Sequence, residues 1–349
     1  MSNKIQVGLV GFGNSAKNFH APLINAIDRY QLKKIVRKSD TPLPGSFSNA
    51  ELESDLKSLL KDESIDLVVI TTPNHLHFDQ ARESLSANKH VVVEKPFTVT
   101  REESEKLIRL ADSQNKTLTV YQNRRWDGDF LTLKDVLEKK LVGEVVEFES
   151  TFNRFRNYFK EDAWKEKNLP GSGILYDLSS HLIDQSLQLF GAPDSLYADI
   201  RAQREGDADD YFEIDLYYPS LKVKLKAGML VPEDTPRFVL RGKNGSFVKY
   251  GLDPQEAALS AGKPITDKDW GKEPEENWGT LYTWDGNDIQ TQKLETIPGN
   301  YSNFYSKLAS AILEGQKPPV QAEEAKIVIR LIELAQTSND EGKRLSVNL

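Results

Sequence analysis

Three side chains in this chain stand in patterns that could move a proton. Lys95 is the middle residue of Glu94-Lys95-Pro96, and Asp177 and His181 lie four apart in "GSGILYDLSSHLIDQSLQLFG". Pro96 lacks an N–H and fixes its own φ, and it restricts Lys95 to extended conformations. The run Val91–Val93 before it reads as a strand, and the carboxyl ends of parallel strands open onto a ligand crevice. A lysine held there and partly buried could give or take a proton, because burial lowers an ammonium pKa. The same residues also read as an ordinary solvated lysine after a strand. An i, i+4 spacing puts Asp177 and His181 on one helix face. The carboxylate could orient the imidazole or hold a hydroxyl, and histidine titrates near neutrality. A plain surface pair, worth about 0.3–0.5 kcal/mol, reads equally well.

The chain offers a second kind of chemistry near its start. The apolar run Val7-Gly8-Leu9-Val10 breaks into Gly11-Phe12-Gly13-Asn14-Ser15-Ala16. In a strand-to-helix turn, Gly11 allows the tight bend, Gly13 lets backbone approach a pyrophosphate, and Ala16 takes the helix-packing place. The helix start would supply amide donors and a favourable dipole. Arg37, Lys38 and Ser39 follow about 20 residues on, where an NAD site places an acid for the ribose hydroxyls. Cationic and hydroxylic groups suit the 2′-phosphate of NADP instead, while Asp40 nearby suits NAD. His75 and His77 in "NHLH" resemble half of a metal site without a third ligand, and lining a cofactor cleft is the stronger reading. His20 and His90 have no special context. Arg124-Arg125-Trp126-Asp127 could reach back across the cleft or could simply pack into a domain junction.

These groups need elements to hold them. Residues 5–10, 32–36, 67–70 and 91–93 read as short buried strands, with helices over 16–29, where Pro22 marks an irregular start, and over 79–87. Such alternation makes a parallel sheet with crossover helices. Past Tyr121 the runs "VVEFESTFNRFRNYF", "SLYADIRAQRE", "YFEIDLYYP", "LKVKLKAGMLV" and "PRFVLRGKNGSFVKYG" alternate polar and apolar residues, as strands of a largely antiparallel sheet do. Residues 251–277 read as a long surface excursion, and 302–314 and 322–336 have helical periodicity. The expected architecture is α/β, a Rossmann-type parallel sheet over residues 1–122 followed over 123–349 by an α+β domain with a large, mostly antiparallel open sheet. The open face is expected to be too apolar to stay bare, which predicts a homodimer or homotetramer.

Bulk composition narrows the class. With 349 residues the chain exceeds one ordinary core, and 38% hydrophobic with 28% charged residues is a globular balance. A net charge of −8 argues against nucleic acid as a partner. The absence of cysteine rules out disulfides and thiolate chemistry and argues against a zinc site. No apolar run reaches the roughly 20 residues of a spanning helix, and no leader pattern precedes the glycine turn, so a cytoplasmic protein without a membrane partner is expected.

Taken in order, the glycine turn, "TTPNHLH", "VVVEKPFT" and "GSGILYDLSSHLID" resemble the Gfo/Idh/MocA oxidoreductases over essentially the whole chain. "YQNRRWDGDFLTLK" and "DYFEIDLYYP" resemble the branch acting on scyllo-inositol with NADP. The resemblance implies Lys95, Asp177 and His181 as the catalytic group. It implies a dinucleotide site of Gly11, Phe12, Gly13, Asn14, Arg37, Lys38, Ser39, Thr71, Thr72, Pro73, Asn74, His77, Glu94, Lys95, Asn123, Arg125 and Trp126. Arg124 and Tyr158 would join Lys95, Asp177 and His181 around a small polyol or sugar. Ala16 stands in the third glycine place, and Ser179 stands where many relatives carry Gly. The implied chemistry is hydride transfer between a polyol ring carbon and the nicotinamide of NADP, or more weakly NAD, with no metal. An aldose 1-dehydrogenase is the alternative enzyme. A dinucleotide-binding sugar sensor is the alternative from another class, and it need not retain all three proton-moving groups.

Overall fold

The computed structural model describes residues 4–38, 43–160 and 163–349. The chain divides into two compact units. The first comprises residues 1–123, 255–270 and 301–326, and the second 124–254, 271–300 and 327–349.

The first unit is built on a six-stranded sheet of order β3-β2-β1-β4-β5-β6. Its strands are β1 (Ile5–Val10), β2 (Tyr30–Val36), β3 (Glu51–Glu53), β4 (Leu67–Ile70), β5 (His90–Val93) and β6 (Leu118–Val120). Every pairing is parallel. Val7, Leu9, Leu67–Ile70 and Val91–Val93 are buried, as expected where helices cover both faces of a parallel sheet. The order reverses between β1 and β4, and in such sheets ligands bind beyond the carboxyl ends at that switch point.

The helix expected over 16–29 divides in two. A π-helical turn over Ala16–His20 runs into α1 (Ala21–Ala26), with Pro22 in the first turn of α1. The expected helix at 79–87 is α3 (His77–Ser86), after a short α2 (Leu56–Leu60). A further helix, α4 (Arg101–Ser113), was not foreseen. Thr100 and Glu103 form a capping box at its start, a signature visible in the sequence.

Two segments from beyond residue 122 pack with this first unit. They carry α7 (Gln255–Ser260) and α8 (Ser302–Glu314). The reason is aromatic packing. Tyr121 meets Phe304 edge-on at 4.8 Å, Tyr30 meets Tyr305 at 5.6 Å, and the Tyr30 hydroxyl donates to the Tyr305 carbonyl at 2.7 Å. The expected surface excursion is thus partly a helix, whose Ser260 accepts from Asn18 in the π-helical turn.

The second unit is built on a nine-stranded sheet of order β14-β13-β12-β11-β7-β10-β9-β8-β15. The strands are β7 (Val145–Thr151), β8 (Ser195–Arg201), β9 (Tyr211–Tyr217), β10 (Lys222–Gly228), β11 (Phe238–Gly242), β12 (Gly245–Lys249), β13 (Gly279–Trp284), β14 (Ile289–Leu294) and β15 (Leu345–Ser346). Only β10 with β7 is parallel. The unit also holds α5 (Gly128–Glu138), α6 (Ser180–Phe190) and most of α9 (Ala322–Glu341).

The expectation of an apolar open face does not hold. Along β9, Phe212, Ile214 and Leu216 are buried, whereas Glu213 and Asp215 turn outward. Register sets Lys224 opposite Asp215 and Lys226 opposite Glu213. Lys222 pairs with Asp215 at 2.8 Å, Lys224 with Glu213, and Arg241 with Glu147 at 2.7 Å and with Glu149. Alternation sends the apolar residues of each strand inward, so the outer face is a lattice of ion pairs.

Candidate active site

In the first unit the foreseen nucleotide residues gather at the carboxyl ends of β1, β2, β4 and β5. Gly11 has φ +90°, and its N–H donates to the Val36 carbonyl at 3.0 Å. A Cβ on Gly11 would lie 3.0 Å from Thr71 Oγ1. That hydroxyl donates toward the carbonyls of Val10 at 3.0 Å and Gly11 at 3.1 Å, pinning the turn to the end of β4. Gly13 opens onto empty space, with no atom within 4 Å of where a Cβ would stand. Asn14 and Lys38 are exposed, and Ser39 lies outside the described residues. Phe12 is buried and meets Phe47 edge-on at 5.9 Å.

Arg37 reaches back over Phe12, its guanidinium carbon 5.9 Å from the ring centroid. Its Nε and Nη2 are buried and have no hydrogen-bond partner among the described residues. A buried donor without an acceptor costs about 1–3 kcal/mol, more when charged. A guanidinium held this way at the end of β2 fits an anionic acceptor, and a dinucleotide carrying a 2′-phosphate supplies one. With the open space at Gly13, these residues fit such a cofactor.

Beyond β4, Pro73 leads into a 3-10 turn over Asn74–Leu76, and Asn74 is buried. The Thr72 hydroxyl donates to Gln80 Oε1 at 2.6 Å. His77 is fully buried between two carbonyl oxygens, those of Pro96 and Thr72, each 2.9 Å from a ring nitrogen. Burial lowers its pKa, and the hydrogen bonds to the two carbonyls oppose that shift. His77 therefore ties the turn after β4 to the segment after β5. Lys95 follows β5, and its backbone N–H donates to Glu94 Oε2 at 2.9 Å. Burial alone would raise the Glu94 pKa. The hydrogen bond and charge of His20, the Lys95 charge and the Ser15 hydroxyl together hold it down at about 2. Asn123 is buried at the end of this stretch.

In the second unit Asp177 and His181 occupy one continuous helical stretch, a π-helical turn over Leu175–Ser179 followed by α6. The Ser179 hydroxyl donates to the Leu175 carbonyl inside that turn. Asp177 Oδ1 accepts from Lys165 Nζ at 2.6 Å, and His181 is buried. Asp209 caps the turn, accepting from the Leu175 N–H at 2.6 Å through Oδ1. Burial, reinforced by the Asp210 charge, pushes the Asp209 carboxyl up to about 6. Gly173, at φ +79°, is required by this cap, since a Cβ there would lie 1.9 Å from Asp209 Oδ2.

The other foreseen residues of this unit are engaged within it. Arg125 forks onto Asp184, Nε to Oδ2 at 2.8 Å and Nη2 to Oδ1 at 2.6 Å. Arg124 donates to Asp127 at 3.1 Å and lies over the Phe152 ring. Trp126 is buried, and its carbonyl accepts from the Asn300 N–H. Tyr158 is exposed, with its carbonyl accepting from Arg204 at 2.7 Å. Sequence reasoning missed His20, Asp209, Lys165 and Asp184. Each acts through a partner distant in the chain or outside any motif. No group of three or more His, Asp or Glu among the described residues could hold a metal ion.

Residues 5–122 match the NAD-binding Rossmann fold of the Gfo/Idh/MocA oxidoreductases, and residues 134–349 match the C-terminal α/β domain of the same family. The chain belongs to the Gfo/Idh/MocA oxidoreductase family. This family member is 41% identical over 342 residues to the NADP-dependent scyllo-inositol 2-dehydrogenase IolW of Bacillus subtilis, covering 98% of this chain and 95% of that one. It is 43% identical to the uncharacterised oxidoreductase YdgJ of Escherichia coli, covering 96% of each. Among solved structures, the oxidoreductase YvaA of Bacillus subtilis superposes with a TM-score of 0.96 at 40% identity, covering 100% of this chain and 99% of that one. The chain is thus an enzyme of the oxidoreductase class. Of its candidate catalytic groups, Lys95 belongs to the first compact unit of this Gfo/Idh/MocA member, and Asp177 and His181 to the second.

Proposed function

We propose that this oxidoreductase interconverts scyllo-inositol and its 2-keto form with NADP. The observation that carries the reading is the buried guanidinium edge of Arg37 beside the glycine turn, with no hydrogen-bond partner among the described residues. Support for the substrate comes from the likeness to the scyllo-inositol 2-dehydrogenase and from Lys95, Asp177 and His181 standing together in one chain. The bound nicotinamide supplies the hydride chemistry. Gly11, Gly13 and Asn14 cradle the pyrophosphate, and Arg37, Lys38 and Ser39 hold the 2′-phosphate. Phe12, Thr71, Thr72, Pro73, Asn74, His77, Glu94, Asn123, Arg125 and Trp126 shape the rest of that site. His181 or Lys95 exchanges the hydroxyl proton, and Asp177 orients and holds a hydroxyl of the ring. The Lys95 ammonium stabilises oxyanion character on the reacting oxygen. Arg124 and Tyr158 complete the polyol site.

No helix among the described residues is long and apolar enough to cross a membrane, and a cytoplasmic site of action completes the reading. Assembly as a homodimer or homotetramer belongs to the same reading.

The test is a panel of inositols and aldoses with both dinucleotides, read by absorbance of the reduced nicotinamide, together with dissociation constants for NADP and NAD. A charge-assisted contact to the 2′-phosphate is worth about 1.5–3 kcal/mol, so NADP is expected to bind roughly 10- to 150-fold tighter. Arg37→Asp should reverse that order. Equal affinities in the wild type, unchanged in Arg37→Asp, would remove the NADP assignment. An aldose used in preference to every inositol would replace the substrate.

A further inference from the structure

A hydrogen-bonded chain of buried side chains ends on the backbone of Lys95. His20, in the π-helical turn before α1, is wholly buried, with its Nε2 2.9 Å from Glu94 Oε1 and its Nδ1 2.6 Å from the Tyr305 hydroxyl. The second oxygen of Glu94 accepts the Lys95 N–H at 2.9 Å, and its first oxygen also accepts from the hydroxyl of Ser15 in the glycine turn. An ionised carboxylate only accepts, so Nε2 of His20 carries a proton and donates it. The Tyr121 ring packs 4.2 Å from the imidazole. Tyr305 is itself buried, with its backbone carbonyl bound by the Tyr30 hydroxyl. One carboxylate therefore joins the turn of the nucleotide site to the lysine, and one histidine sets the direction of that carboxylate.

We propose that His20, backed by Tyr305, is a positioning residue that aims Glu94 and through it holds Lys95 and the glycine turn in fixed relation. The inference rests on the catalytic role of Lys95 proposed above. His20 touches neither substrate nor cofactor in this scheme. It acts by keeping a buried carboxylate oriented. The groups facing Glu94 are His20 and Ser15 from the turn before α1, Lys95 from its own segment, Tyr305 from α8 beyond His20, and His77. Without His20, burial is opposed only by Ser15 and Lys95, and the carboxyl becomes easier to protonate. A protonated Glu94 releases the Lys95 N–H or re-aims it.

The experiment compares His20→Leu, His20→Gln and Lys95→Ala in the full chain. Scyllo-inositol and NADP are the assay pair, and the Glu94 side-chain carboxyl is followed by carbon-13 NMR against pH. His20→Leu should lower kcat roughly 10- to 100-fold, the scale of an ångström-sized misplacement, with KM for scyllo-inositol within about threefold. Its kcat should gain an acid limb absent from the wild type. His20→Gln, whose amide can still donate to Glu94, should recover most of the rate and lose that limb. The Glu94 carboxyl should stay ionised down to pH 4 in the wild type and titrate at least one pH unit higher in His20→Leu. Wild-type kcat in Lys95→Ala refutes the lysine's role and this positioning role with it. Lost kcat in Lys95→Ala beside a wild-type rate and pH profile in His20→Leu overturns the positioning role alone. If scyllo-inositol gives no turnover, the carboxyl titration decides, and identical curves in the wild type and His20→Leu overturn the proposal.

Discussion

Replacing Gly173 by alanine should damage the stretch that carries Asp177 and His181 far more than replacing another positive-φ glycine nearby. Gly173 has φ +79°, and a Cβ there would stand 1.9 Å from Asp209 Oδ2 and 2.5 Å from its carboxyl carbon. Two costs add. A non-glycine residue at positive φ costs roughly 1–2 kcal/mol. Displacing the carboxylate strips the buried Leu175 N–H of its acceptor, about 1–3 kcal/mol more. The sum is about 2–5 kcal/mol. Gly191, which ends α6, has φ +73° and nothing within 4 Å of its would-be Cβ. Gly191→Ala should therefore cost only a backbone share, about 1–3 kcal/mol for its conformation at ψ −161°. Urea unfolding read by tryptophan fluorescence suits the comparison, because Trp126, Trp164, Trp278 and Trp284 all lie in the second unit. Equal losses in the two variants would show that the Asp209 cap does not hold the turn, and the reasoning would fail.

Asp209→Asn tests the same cap through pH. Its folded pKa of about 6 lies above the ordinary 3.8, so the folded state binds more protons than the unfolded one between those values. The carboxyl therefore makes stability fall as pH rises from about 4 to 6, by up to about 3 kcal/mol. The asparagine variant should lack that fall, and parallel stability curves for the two proteins would refute the burial argument. Arg125→Ala should cost about 3–5 kcal/mol in unfolding measured without dinucleotide, since it strips the two-bond guanidinium fork from Asp184, a carboxylate only 2% exposed. A loss below about 1 kcal/mol would mean that the fork contributes little.

The parts of the fold legible in sequence were those whose cause is local. Val7–Val10, Leu67–Ile70 and Val91–Val93 are apolar because helices cover both faces of their sheet, and that pressure is written into consecutive residues. Gly11 was legible because a tight turn against Thr71 leaves no room for a side chain. His20 was not, because its partners Glu94 and Tyr305 lie 74 and 285 residues away. Asp209 was not legible either, since nothing near it in sequence announces that it caps Leu175. The charge of the open sheet face was present in the alternation of Lys222, Lys224 and Lys226 against Glu213 and Asp215, but only register shows that they pair. The capping box of Thr100 and Glu103 is local, and it marks the start of α4 in the sequence itself.

The return of α8 to the first unit bears on how the chain is made. When residue 123 leaves the ribosome, the six strands exist, but His20, Tyr30 and Tyr121 still lack the aromatic side chains of Phe304 and Tyr305. Roughly 200 further residues must be synthesised before residue 326 closes that unit, about 10–40 s at ordinary elongation rates. Over that interval a nascent nucleotide unit displays an apolar, tyrosine-rich surface. It is then open to chaperones and prone to aggregate, so a fragment cut at residue 123 should be a poor substitute for the complete unit.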